Sequence, residues 1–558
     1  MSDELNIANT FLFDRLAEGM GERVALRYGD VSYTYVQVAD RARRVAAALA
    51  AAGIRREERV YIVLPDNPAF AWTFFGTLAG GHVVTMGNPA SPTDSLESVL
   101  SYTRATCLVT VPSVAERLAP AIQAAPGLRS VLLVPEVPTG GDCEGECSIP
   151  AGLPATTMTL SDAMLSDAML SDAIAAHPEP SCFPLATRRD EVAIWLFTSG
   201  STGHAKACVH THRDFAFNSE VYAKGTVRYQ RDDVTVSVPR LYFGYATGTN
   251  LMFPFAVGAT VGLFSERPTP ETLTDAIERY APTVITNVPT MMGKLLNYDE
   301  QLRREGKPGI DMSAIRFNLS AGEALPPALL ERFQARWPCD VYDGIGSAEM
   351  FHIYASNRPG DIKPGSLGRV VDGYTIKILA EDAAGPGAPE LPAGETGVMW
   401  VKGDSVALCY HEDREKSWQT FHGHWCRTGD LFRKDAEGYL WFSGRADSLL
   451  KVSGQWVAPL EVEQCLMTHP AVNIAVVIGA EREGLLRVKA FVVLRDSARE
   501  QSQEALRASI RQHVKDHLAP HKAPQWTIFS QELPRNDRGK IDRKTLVAQE
   551  KAGTNPWA

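Results

Sequence analysis

Residues Thr198–Lys206 read TSGSTGHAK and follow directly on the apolar run Ile194, Trp195, Leu196, Phe197. Four hydroxyl residues and two glycines fall within six positions, and Lys206 adds a positive charge. Glycine lets the backbone come close to a ligand while hydroxyl and amide donors surround it, which is what the oxygens of a polyphosphate require. Taken alone, the same composition also suits a plain surface turn. The spacing of glycine to lysine is not that of the Walker loop.

On the N-terminal side the chain alternates helical and strand patterns. A helix is predicted from Tyr35 to Ala52, stopping at Gly53, and a strand from Glu57 to Leu64, stopping at Pro65. A second helix leads to a short strand starting at His82. Strands at Thr106–Thr110 and Arg129–Val134 have a helix between them. Such alternation implies parallel sheets covered by helices, the α/β class. Ala69–Thr93 and Leu241–Ser265 carry no charged residue, but the glycine, asparagine and proline in both point to buried helix–turn–strand segments in place of membrane spans.

Pro135–Pro154 is rich in proline, glycine and cysteine. Three copies of a five-residue unit, LSDAM, LSDAM and LSDAI, then run from Leu160 to Ile174. A period of five matches neither helix nor strand and presents no constant apolar face, so the repeat reads as an insertion in a surface connection. Beyond Gly444 a smaller unit is predicted, with strands at Ala471–Gly479 and Arg487–Leu494. A helix from Glu504 to Leu518 should carry Leu506, Ile510, Val514 and Leu518 on one stripe.

The full length of 558 residues exceeds what one core usually supports, so two units are expected, 1–446 and 447–558. The second holds 16 Lys and Arg against 13 Asp and Glu, whereas the first holds 40 against 53. A net charge of −10 argues against a nucleic-acid partner, and a basic minor part suits a lid over polyphosphate. Nine cysteines without repeated CxxC spacing suggest reduced thiols and a cytoplasmic protein. Cys143 and Cys147 could share a metal, but with no histidine nearby a plain loop is the simpler reading. The N-terminus MSDELNIANT lacks the basic start and apolar run of a signal peptide.

Further motifs follow in order: SAGEAL at Ser320–Leu325, YDGIGSAE at Tyr342–Glu349, WCRTGD at Trp425–Asp430, GRADSLLKVSG at Gly444–Gly454 and PRNDRGKIDR at Pro534–Arg543. Together with TSGSTGHAK they resemble the signatures of the adenylate-forming superfamily of acyl-CoA synthetases, peptide-synthetase adenylation domains and beetle luciferases. Two positions depart from that pattern. Ala205 stands where proline is usual, which should loosen the loop slightly, and Ala348 replaces a threonine, removing a hydroxyl near the phosphate or acyl group.

The resemblance implies the adenylate-forming fold, a large N-terminal domain of helix-flanked sheets and a small mobile α+β C-terminal domain. It implies ATP, Mg2+ and coenzyme A as cofactor and co-substrates. Thr198, Ser199, Gly200, Ser201, Thr202, Gly203 and Lys206 would hold phosphate; Gly322, Glu323, Ala324, Asp343, Gly344, Ile345, Gly346 and Ser347 would surround the nucleotide, with Tyr342 stacking on adenine. Glu349 would hold the magnesium ion, for which carboxylate oxygen is a suitable hard ligand. Asp430 would accept from the ribose diol, with Arg445 on the same sugar or the phosphate. Lys540 would bridge the acid oxygen and the α-phosphate, although an isolated charged run more often reads as solvated surface. Asp447 would be the hinge, and Ser453 and Gly454 would line the coenzyme A tunnel.

The acid pocket is expected on the strand after the phosphate loop, where the sequence reads LYFGYATG from Leu241 to Gly248, and around Glu349. Phe243 and Tyr245 with Gly244, Gly346 and Ala348 describe a flat slot for a ring. These segments, and NRPGDIKPGSLG after them, resemble the benzoate:CoA ligase branch, where Gly244 leaves slightly more room than the usual alanine. His352 either reaches a ring substituent or is a satisfied structural histidine. Benzoate and 2-aminobenzoate are the acids expected first, with hydroxybenzoates also open, and the protein a monomer or homodimer. Other uses of such a chain are loading a carrier-protein pantetheine, a non-catalytic nucleotide sensor, or an oxidative luciferase-like reaction.

Overall fold

The computed structural model describes residues 2–153, 156–165, 183–199, 205–446, 449–452, 455–482, 485–534 and 541–553. By compactness the chain divides into Met1–Ile376 with Val401–Cys426, and Lys377–Trp400 with Arg427–Ala558. The first unit holds two large sheets. One has eight strands in the order Cys409–Tyr410, Ala205–Thr211, Val192–Ser199, Val83–Met86, Arg59–Val63, Cys107–Thr110, Ser130–Leu133 and Thr157–Thr159. From Val192–Ser199 onward neighbours run parallel, while Ala205–Thr211 and Cys409–Tyr410 add antiparallel at the other edge.

The nine-stranded sheet has a parallel centre that includes Val284–Asn287, Phe317–Ser320 and Asp340–Gly346, with Ile353–Ser356 antiparallel beyond it. In parallel sheets of this kind ligand groups gather at the carboxyl ends of the strands. Ser320 and Asp343 sit opposite one another at that end.

The helices form where their sequence signals stand. Tyr35–Ala51 opens on a capping box in which Thr34 and Gln37 serve each other's free backbone donors. Pro68–Ala79 is capped by Asn67, and all twelve of its residues are buried. A helix enclosed on every side needs no polar face, which explains its uncharged sequence. Burial of Phe70, Trp72, Phe74, Phe75 and Leu78 contributes about 1.5–3 kcal/mol each. Gly76 lets this helix lie against Tyr35–Ala51, since a Cβ there would stand 2.6 Å from the Ala42 carbonyl. Among the described residues no helix is long and apolar enough to cross a membrane.

Two local expectations are corrected. Leu241–Gly248 is not a strand: Gly244–Thr247 forms a helical turn, because Asp66 accepts from Leu241 N and the Thr247 hydroxyl folds back to the Leu241 carbonyl at 2.5 Å. The first copy of the repeat is helical, Leu160–Leu165, with Leu160 and Ala163 buried. One turn of helix can bury two small apolar residues without any longer period, and Asp162 caps it from within by accepting from Thr159. The remaining copies lie outside the described residues.

The second unit contains an antiparallel pairing of Asp430–Lys434 with Leu440–Arg445, and a three-stranded sheet of Val472–Arg482, Leu485–Leu494 and Trp526–Phe529. Helix Pro459–Met467 and helix Gln503–His517 cover that sheet through Val462, Leu466, Ile510 and Val514. Leu506 is buried on the same stripe and Leu518 packs at its edge.

Candidate active site

The phosphate motif is built on a hairpin. Val192–Ser199 and Ala205–Thr211 pair antiparallel, with Thr198 opposite Lys206 and Ser199 opposite Ala205. A Walker loop leads from strand to helix, whereas this one leads from strand to strand. Gly200, Ser201, Thr202 and Gly203 lie outside the described residues. Lys206 emerges on the returning strand with Nζ 2.9 Å from Asp413 Oδ2 and 5.4 Å from the centre of the Tyr410 ring.

Cys409–Tyr410 is the next strand out, with Tyr410 opposite Cys208. The Tyr410 hydroxyl donates to Glu349 Oε1 at 2.7 Å. Burial, followed by the nearby Glu349 charge, pushes the Tyr410 phenol far above its ordinary value, so it remains a donor. Lys206 holds the Asp413 carboxyl below the usual range, chiefly through their hydrogen bond. Lys206 and Glu349 are therefore brought together through two residues, Tyr410 and Asp413, that sequence reading did not select. Glu349 is a partly exposed carboxylate with one oxygen fixed by Tyr410, a donor set that fits a hard divalent cation such as Mg2+.

A second support was also missed. His210 is buried, with Nδ1 2.6 Å from Asp214 Oδ2 and Nε2 2.6 Å from the Ala348 carbonyl. Asp214 also accepts from Thr211, N and hydroxyl both. With acceptors at both ends the ring is fixed, and with it the backbone next to Glu349. The HxxxD spacing across the junction from strand Ala205–Thr211 to helix His212–Asn218 was the available signal.

At the carboxyl end of the nine-stranded sheet, Ser320 donates to Asp343 Oδ1 at 2.8 Å. Burial pushes the Asp343 carboxyl up to about 8, so near neutral pH it is mostly protonated. Tyr342 is 3% exposed, donates to Asp340 and packs its ring against Phe317. The Glu323 Oε2 accepts from Thr290 N and Oγ1 at 3.0 and 2.7 Å, capping helix Pro289–Arg304. Gly322 has φ +82, a turn that favours glycine, and Ala324 is exposed beside it.

The strand Asp340–Gly346 turns back through Ser347 and Ala348 into Ile353–Ser356. Gly346 makes this possible, since a Cβ there would stand 2.5 Å from the His352 carbonyl. Phe351, at φ 66 and ψ −58, holds an unfavourable backbone conformation in the same turn, and such strain is characteristic of sites. His352 is 2% exposed among Tyr222, Tyr245, Phe253 and Phe351, their ring centres 4.7–5.6 Å away. Burial pushes its imidazole down to about 4, so it is neutral. Its Nε2–H donates to the Tyr245 carbonyl at 3.0 Å, which leaves the lone pair on Nδ1. That buried Nδ1 and the buried Tyr245 hydroxyl have no partner among the described residues. Gly244 faces Leu196 and the Phe351 carbonyl, and Phe243 packs edge-on against Tyr242.

In the second unit, Asp430 and Arg445 are opposite one another on antiparallel strands, and Arg445 Nη1 donates to Asp430 Oδ1 at 3.0 Å. Gly429 at φ +73 and Gly444 at φ +128 flank the pair, conformations that favour glycine. Asp447, Ser453, Gly454 and Lys540 lie outside the described residues.

The fold and these motifs are those of an adenylate-forming enzyme. A crystal structure of the anthranilate CoA ligase AuaEII in complex with anthranoyl-AMP matches 99% of this chain and 98% of its own, with TM-score 0.85 and 31% identity. A benzoate CoA ligase from Burkholderia xenovorans matches 97% of this chain and 99% of its own, with TM-score 0.81 and 33% identity. The chain belongs to the AMP-binding enzyme family: that family model matches residues 13–411, and the model for the AMP-binding enzyme C-terminal domain matches residues 461–540. The benzoate–CoA ligase of Thauera aromatica is 36% identical over 98% of this chain and 96% of its own length.

Proposed function

We propose that the protein is an ATP-dependent aryl acid:CoA ligase that activates benzoate or a substituted benzoate, 2-aminobenzoate foremost. The observation that carries this reading is the aromatic surround of the neutral, buried His352, beside the turn that bears Ala348 and Glu349. Aromatic side chains together with the small residues Gly244 and Gly346 suit a flat ring. The lone pair on His352 Nδ1 favours a ring that carries an N–H or O–H donor.

In the first step a carboxylate oxygen of the acid bonds to the α-phosphorus of ATP and pyrophosphate leaves. Two anions must meet, so catalysis is positioning and neutralisation of charge. Magnesium, when bound, draws charge from the phosphate oxygens. Glu349 would hold it, oriented by Tyr410. Lys206 and the Thr198–Gly203 segment bind phosphate, and Lys206 exchanges its bond to Asp413 for phosphate oxygen. Asp343, Tyr342 and the Gly322–Ala324 and Gly344–Ser347 backbones receive adenine, Asp430 and Arg445 the ribose, and Lys540 the reacting oxygens.

In the second step the coenzyme A sulfur attacks the acyl carbonyl and AMP leaves. Residues 447–558 act as a lid that pivots at Asp447, withdrawing Lys540 and presenting Ser453 and Gly454 to the thiol. We place the protein in the cytoplasm, consistent with eight described cysteines that are all free thiols.

The test is a panel of benzoates with ATP and magnesium, followed by AMP release on adding coenzyme A or a carrier-protein pantetheine. Acid-dependent release with coenzyme A supports the reading; release with the carrier alone would replace it, and none with any acid would end it. Lys540→Ala should slow aryl-adenylate formation by about 3 kcal/mol or more of transition-state stabilisation.

A further inference from the structure

Helices Pro459–Met467 and Gln503–His517 of the second unit bring together three ligand-type side chains that have no part in the ligase reading. Cys465 comes from the first helix and His513 and His517 from the second, and one ligand atom of each lies within 4.8 Å of the others. His513 and His517 are four residues apart, a spacing that puts both on one helix face. Their ring centres are 4.3 Å apart.

The surroundings prepare these groups as ligands. His517 Nδ1 donates to the His513 carbonyl at 2.8 Å, which leaves the lone pair on Nε2. Thr468 Oγ1 donates to the Cys465 carbonyl at 2.7 Å and lies 2.8 Å from His513 Nε2. With its proton committed, the hydroxyl accepts from His513 Nε2–H, so the lone pair of that ring is on Nδ1. Metal-bound histidines are held in this way, the second ring nitrogen donating to a carbonyl or similar oxygen. His469 closes one side, its ring 5.3 Å from that of His513, but both its nitrogens are engaged, by Ser509 and by Ala471 N. Cys465 is 9% exposed whereas His517 is exposed, so the cluster opens to solvent on the His517 side.

We propose that Cys465, His513 and His517 bind one divalent metal ion of the zinc class, with water completing a tetrahedral set. One sulfur and two imidazole nitrogens are the donors that borderline-soft ions select over magnesium or calcium. On binding, the Cys465 S–H bond gives way to a metal–sulfur bond and one proton is released to solvent. The ion ties the two helices together and stabilises the folded unit by mass action.

The test uses the full chain, freed of any affinity tag and treated with chelator, titrated with Zn2+ by calorimetry and with Co2+ by absorption. One ion per chain with micromolar or tighter affinity is expected, together with a thiolate-to-cobalt charge-transfer band and a higher melting temperature. His517→Gln and Cys465→Ser should each weaken binding at least tenfold, and Cys465→Ser should abolish the band. Should Cys465→Ser fail to fold, the exposed His517→Gln decides. No saturable micromolar binding, equal binding by wild type and His517→Gln, or a cobalt complex without the band would each overturn the proposal. None of these outcomes depends on ligase activity, so the two readings fail separately.

Discussion

Replacing Tyr410 by phenylalanine isolates one bond in the site. The ring stays, and with it the packing against Phe421 and the contact with Lys206 Nζ at 5.4 Å. What disappears is the hydroxyl that donates to Glu349 Oε1 at 2.7 Å. Because burial and the Glu349 charge hold that phenol protonated, the wild-type bond is present throughout the working pH range. A hydrogen bond to a charged group contributes about 1.5–3 kcal/mol. If Glu349 is the magnesium ligand, loss of its orientation should slow acid-dependent pyrophosphate exchange roughly 10- to 100-fold, at about 1.4 kcal/mol per factor of ten. The magnesium concentration for half-maximal rate should rise with it, while the melting temperature moves by only a few degrees. A Tyr410→Phe enzyme with wild-type exchange and unchanged magnesium demand would refute the reasoning, because the bond would then be structural.

Three further outcomes are expected. Asp343 moves from an ordinary value of 3.8 to about 8 on folding, so between about pH 4 and 8 the folded chain binds one more proton than the unfolded chain; stability contributed here falls as pH rises through that window, and Asp343→Asn should flatten the slope of denaturation midpoint against pH, an unchanged slope counting against it. Gly248→Ala puts a Cβ 2.5 Å from His352 Cδ2, so it should displace the imidazole, cost about 1–3 kcal/mol in urea denaturation and alter discrimination among ring-substituted acids. Gly244→Ala meets Leu196 at 3.4 Å, an ordinary contact, so stability should hold within about 0.5 kcal/mol while turnover of substituted benzoates falls relative to benzoate; equal turnover of both would show that Gly244 does not border the ring.

Local signals carried much of the fold. The helix Tyr35–Ala51 and the strands Arg59–Val63, Val83–Met86, Cys107–Thr110 and Ser130–Leu133 stand within two residues of where periodicity and the Gly53 and Pro65 stops put them. The glycine-rich motif was legible because its chemistry is contiguous. Tyr410 and Asp413 were not, since they reach Lys206 across some two hundred residues and only strand pairing brings them there. Glu323 shows a second role that its motif did not announce: its position marks the nucleotide region, and its carboxylate also caps the helix that begins at Pro289. Leu241–Gly248 was expected on the strand after the phosphate loop, but a buried Asp66 and a hydroxyl four residues into the turn satisfy its backbone locally. For His352 both alternatives had substance: one nitrogen is structurally satisfied and the other has no protein partner among the described residues.

The pairing of Ala205–Thr211 with Cys409–Tyr410 also bears on how the chain is made. On the ribosome the phosphate-motif strand emerges about two hundred residues before its outer neighbour, a wait of about 10–40 s at usual elongation rates. Throughout that interval its outer row of amide and carbonyl groups is an open template for any passing strand. A nascent chain stalled or cleaved before residue 409 keeps that template exposed, so the pairing hazard of this strand is greatest during synthesis and falls when Cys409 and Tyr410 pair with Val209 and Cys208.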